Sequence, residues 1–145
     1  MVTGLLHLHS MMRWVILALL VITIIKALIG RSNTSGDFNS QAKLGLFTMI
    51  SLHIQLLVGI GLLATGHWAE YTVEGLKNFI MMEHTSMMII AVILGTLGHS
   101  LSKRAEDISA KYKKQLIFFS LSLVIIIAMI PWPCMRNFSE VYGWF

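Results

Sequence analysis

The segment Ile80–Met88 reads "IMMEHTSMM" and sets a carboxylate, Glu83, beside an imidazole, His84. The apolar run that it opens continues "IIAVILGTLGHS", long enough to cross a bilayer. A charged side chain at the centre of a membrane helix costs about 3 kcal/mol and is normally paired or functional. Two further stretches carry polar groups into apolar runs. "HLHSMMRW" places His9 and Arg13 four residues apart, on one helical face, and "HIQLLVGI" places His53 and Gln55 well inside a run. These are the residue types that hold a haem. A b-type haem in a helical bundle takes two neutral imidazoles from facing helices. His84 is one candidate axial ligand, with His9 or His53 as the other. A guanidinium pairs with carboxylates in a forked geometry, so Arg13 suits a haem propionate. Glu83 would balance Arg13 or take a proton. Met81, Met82, Met87 and Met88 offer a soft, adaptable lining or simple packing filler.

The elements that must position these groups follow from composition. The chain has 145 residues, 56% hydrophobic and only 12% charged. Soluble domains average about 25% charged residues. Four apolar runs, at about 8–30, 44–65, 79–100 and 115–132, approach or exceed the roughly 20 residues that span a bilayer as a helix. Open strands cannot span lipid, because their edge amides and carbonyls would lack partners. The fold expected is all-α, a single membrane domain over residues 1–145 built as a four-transmembrane-helix bundle. The first run is too long for a signal peptide and reads as a retained helix. The single cysteine, Cys134, excludes an internal disulfide and a Cys-x-x-Cys-His haem attachment. "NTS" at Asn33 matches a short sequon and decides nothing.

Basic residues set the expected orientation. Lys26, Arg31, Lys43, Lys103, Arg104, Lys111, Lys113 and Lys114 gather in or beside the first and third loops, whereas the opposite side has only Lys77 and Arg136 besides Arg13. Both termini are therefore expected outside, in the periplasm, with the basic loops in the cytoplasm. The net charge of +4 expresses that topology, and nothing supplies base-reading chemistry for nucleic acid. Counted from the basic end, Arg13 and Glu83 both lie 17 residues up and become candidates for an intramembrane ion pair. On the same count His9 and His84 differ in height by about 7–8 Å, and His53 and His84 by about 10–11 Å.

Small residues add detail. Gly59 and Gly61 let a helix or a flat ligand approach closely, and His84, Met88, Ala91 and Gly95 form a stripe expected to face the bundle. Trp14 is placed as an interfacial anchor or an inward packer. His7, His67 and His99 lie near the expected surfaces, where solvation is the default. The polar stretch "RSNTSGDFNSQAK" reads as an exposed connection, and "PWP" ends the last helix because proline cannot continue the ladder.

Taken together, "HLHSMMRW", "HIQLLVGI", "MMEHTSMM", "SKRAED" and "AMIPWP" resemble small bacterial four-helix membrane proteins labelled cytochrome b or cytochrome-b-like. The resemblance runs along essentially the whole chain. It implies a b-type haem between helices and electron transfer near a respiratory chain, in the bacterial inner membrane. It marks His9, Arg13, His53, Glu83 and His84.

The leading expectation is thus an integral-membrane haem b protein that passes electrons, with a quinone as candidate partner, acting alone, as a homodimer or as a subunit of a respiratory complex. An electron-transfer protein or subunit fits better than a stand-alone enzyme. Two alternatives stand beside it. One is a cofactor-free accessory subunit in which Arg13–Glu83 and His53–Gln55 tie helices together. The other is a Zn²⁺ or Cu²⁺ site drawn from His9, His53, Glu83 and His84.

Overall fold

The computed structural model describes residues 2–32, 37–70 and 75–132. Four long helices make the fold: α1 Val2–Gly30, α2 Asn39–Ala64, α3 Leu76–Arg104 and α4 Ile108–Met129. A short 3₁₀ turn, His67–Glu70, follows α2. The protein is an all-α four-helix bundle, and each helix is long and apolar enough to cross a membrane. The helices pack as a ring in which α1 meets α2, α2 meets α3, α3 meets α4 and α4 returns to α1. α1 and α3 therefore face each other across the bundle axis. The end holding Gly30, Asn39, Arg104 and Ile108 is called the basic end below, and the other the distal end.

The helices extend past the apolar runs. α2 starts at Asn39, not near residue 44, and α3 continues to Arg104. Polar residues at these ends keep helical hydrogen bonding, so hydropathy alone marks the ends too narrowly. Ala105 and Asp107 are extended and leave a three-residue connection before α4. α4 stops where Ile130 turns extended ahead of Pro131, as the ring of a following proline requires.

The core is a chain of contacts among Ile16, Leu20, Leu52, Ala91, Val92, Phe119 and Ile126. Gly95 lies at the contact: a Cβ there would come 2.5 Å from Leu52 Cδ1, so any larger residue requires the Leu52 side chain to shift. Ser122 Oγ donates to the Ala91 carbonyl at 2.9 Å and fixes α4 against α3. The outward faces carry exposed Ile, Leu, Val and Phe side chains, among them Ile22, Ile29, Phe47, Leu57, Ile93 and Val124.

Below this core, toward the basic end, lies a polar layer that composition does not announce. Gln41 Nε2 donates to Gln115 Oε1 at 2.8 Å and to the Thr23 carbonyl at 3.0 Å. Gln115 Nε2 reaches Ser102 Oγ at 3.3 Å, and the Thr23 and Thr48 hydroxyls meet at 2.8 Å. All five side chains are buried, and together they join all four helices. Gln41 thus departs from the exposed connection expected for its stretch, because α2 begins early enough to carry it inward. His99 departs likewise: it is buried near the basic end instead of solvated.

Candidate functional site

α3 is not a uniform α-helix. Phe79–His84 forms a π turn, with Thr85 Oγ1 donating to the Ile80 carbonyl at 2.7 Å, five residues back. Such turns admit one extra residue and re-aim the side chains beside them, often at functional positions. Here Glu83 is turned to the exposed side, while His84 enters the bundle, at whose far side α1 carries His9.

The two imidazoles face one another across the axis with ring centroids 6.4 Å apart and planes inclined by 64°. His84 Nδ1 lies 2.8 Å from the Met129 carbonyl oxygen and must carry the proton it donates there. Its Nε2 is thereby left as the basic nitrogen. His9 is held through its backbone, whose carbonyl accepts a 2.9 Å bond from Gln55 Nε2 on α2. Its ring packs on Gly59, where a Cβ would come 3.3 Å from His9 Cε1. His9 Nδ1 is buried and makes no hydrogen bond among the described residues. A buried polar atom left this way asks for an explanation.

Both rings line a cavity of about 400 Å³ in the distal half of the bundle. Its floor is the apolar core at Ile16, Leu52, Ala91 and Val92, and its polar wall includes Ser10, Arg13 and Gln55. His7, which is exposed as expected, and the partly buried His67 line it nearer the distal end. Ligand pockets commonly measure about 300–1,000 Å³ and combine an apolar lining with a few placed polar groups.

Arg13 lies one turn inward of His9. Its Nη2 donates to Ser10 Oγ at 3.3 Å, and its guanidinium sits 5.3 Å from the Trp14 ring and 5.8 Å from the Trp132 ring. The two indoles also meet edge to face at 6.0 Å. The expected Arg13–Glu83 pair is corrected by this arrangement. Glu83, within the π turn, is exposed, and the contacts of Arg13 include Ser10 and the two indoles.

His53 does not join His9 and His84. It is exposed on the outer side of the α2–α3 seam, with Nδ1 2.8 Å from the Met49 carbonyl. Nor does it tie to Gln55, which faces α1.

Among the described residues no three His, Cys, Asp or Glu side chains gather to hold a metal ion. Two imidazoles suit an ion whose other ligands arrive with it. Placed on opposite faces of one ion at about 2 Å per metal–nitrogen bond, two imidazoles have ring centroids about 6 Å apart. The observed centroid separation of 6.4 Å is close to that spacing.

The chain matches no family model, no curated protein and no solved structure.

Proposed function

We propose that this protein is an integral-membrane b-type cytochrome, holding haem between His9 and His84 and passing electrons within the bilayer. The observation that carries the reading is the pair of imidazoles, 6.4 Å apart on diagonal helices, at an apolar cavity. Held by His9 and His84, a haem would supply a one-electron couple at this cavity. His84, anchored by Met129, would present its Nε2 to the group, and His9, whose buried Nδ1 has no hydrogen bond among the described residues, would be the second ligand. A ligating histidine ordinarily gives its second N–H to a carbonyl, which fixes the tautomer and the ring plane. Arg13, backed by Trp14 and Trp132, would receive a propionate. The floor of Ile16, Leu52, Ala91 and Val92 excludes water and so tunes the potential. In this reading the protein sits in a bacterial inner membrane with the basic end in the cytoplasm, an orientation that the positive-inside bias supports.

A reduced-minus-oxidised absorption spectrum of the detergent-purified protein tests this, with a pyridine haemochrome assay for stoichiometry. A sharp b-type α-band at near one haem per chain is expected. A featureless spectrum from haem-replete cells would sink the reading and favour the accessory-subunit alternative, for which the buried glutamine layer is the supporting observation.

A further inference from the structure

Two buried polar atoms on residues that line the central cavity lack hydrogen bonds among the described residues: His9 Nδ1 on α1 and Gln55 Oε1 on α2. The two residues are already joined elsewhere. Gln55 Nε2 donates to the His9 backbone carbonyl at 2.9 Å, and because a carbonyl only accepts, that bond fixes which end of the carboxamide is nitrogen. Oε1 is therefore an acceptor without a donor, on a carboxamide already held against His9. The Nδ1 edge of the imidazole lies along the same face of α2. A Cβ at Gly59, one turn from Gln55, would come 3.3 Å from His9 Cε1 and 3.8 Å from Nδ1.

His84 supplies the comparison. Its Nδ1 gives a proton to the Met129 carbonyl and leaves Nε2 basic. No such carbonyl serves His9 among the described residues. An imidazole that binds a metal centre through Nε2 carries its proton on Nδ1, and a buried N–H without an acceptor is disfavoured. The two unpartnered atoms satisfy each other under one proton placement only, with Nδ1–H as donor and Oε1 as acceptor. We propose that Gln55 is the positioning residue for His9, accepting a hydrogen bond from Nδ1 at Oε1 and leaving Nε2 with the lone pair that ligation needs. A small turn of the ring or of the carboxamide makes the bond. The ligand role of His9 rests on the cytochrome reading; the placement of the proton does not.

The test uses the full chain in detergent with ¹⁵N-labelled histidine. Long-range proton–nitrogen correlations read the His9 tautomer before haemin is added, with His9→Gln assigning the signal, and optical titration then reads haemin affinity. The wild type should hold His9 as the Nδ1–H tautomer. Gln55→Leu removes the acceptor; it should move His9 toward the Nε2–H tautomer and weaken haemin binding by about tenfold or more, as loss of the group behind a ligating histidine typically does. Gln55→Met, closer in shape, serves if the leucine variant does not fold. Gln55→Glu keeps an acceptor oxygen and should retain the Nδ1–H tautomer and most of the affinity. A residue that only braced the His9 backbone would leave the tautomer unmoved throughout. An Nε2–H tautomer in the wild type, or one tautomer shared by the wild type and the acceptor-free variants, overturns the proposal. The two readings fail separately. The expected tautomers without haemin binding keep Gln55 in its role and remove the cytochrome; haemin bound equally by all variants, with an unmoved tautomer, does the reverse.

Discussion

His84 Nδ1 sits 2.8 Å from the carbonyl oxygen of Met129, the last residue of α4. That one bond sets which nitrogen of His84 is basic and turns the ring toward His9. It also couples the site to the point where α4 must end ahead of Pro131, so helix termination and ring orientation share one constraint.

His84→Ala and His9→Ala should each cut haem content by about tenfold or more while the helical circular dichroism stays unchanged, since axial ligation contributes strongly to retention. His53→Ala should keep near-full haem, because that ring lies outside the central cavity. Pyridine haemochrome per chain for the three variants is the measurement. Loss in all three alike would contradict the assignment of His9.

Gly59 and Gly61 offer a matched pair two residues apart. A side chain at Gly59 meets His9 Cε1 at 3.3 Å, whereas nothing lies within 4 Å of a Cβ at Gly61. Gly59→Leu should displace the His9 ring and shift or abolish the haem bands; Gly61→Leu should leave the spectrum alone. Both should insert and fold, which size-exclusion profiles will show.

The glutamine layer predicts coupling. Gln115→Leu strips Gln41 Nε2 of one of its two acceptors inside a buried layer, at a cost of about 1–3 kcal/mol. The Gln41→Leu, Gln115→Leu double variant should lose less stability than the two single variants added together. A thermodynamic cycle from denaturation midpoints in mild detergent reads the difference. Strict additivity would mean that the two amides do not act on one another.

Charge exchange separates Arg13 from Glu83. Arg13→Glu should lower expression and haem content by leaving a carboxylate against Trp14 and Trp132, and adding Glu83→Arg should restore neither. Glu83→Gln alone should change stability by less than about 0.5 kcal/mol, as exposed substitutions usually do. Rescue by the double exchange, read by expression and spectrum, would revive the ion pair that equal depth suggested.

Much of this was legible in the residues. Apolar run length gave four helices, and the basic residues clustered about two loops gave the bundle its two ends. His9 and Arg13, four apart, did share a face and did meet the cavity. What escaped was rotation about the helix axes. Hydropathy starts α2 near residue 44 and leaves His53 and His9 equivalent as partners of His84; α2 begins at Asn39, and its packing turns His53 outward. Glu83 escaped because a π turn inserts a residue with no compositional mark. Gln41 escaped because a polar residue in a turn-rich stretch reads as solvent-facing until its partner, Gln115, is known to lie 74 residues away and 2.8 Å distant.

The glutamine layer also has a consequence for assembly order. Buried side chains from all four helices close the bundle at the basic end, and the core above them is filled. Among the described residues, the central cavity lies in the distal half, where His7 and His67 line it. A large planar guest cannot be threaded in from the basic end once the helices have met. Such a guest would enter before the ring closes or through the distal half, and the hydrogen bond between the Gln41 and Gln115 side-chain amides would hold the basic end shut in either case.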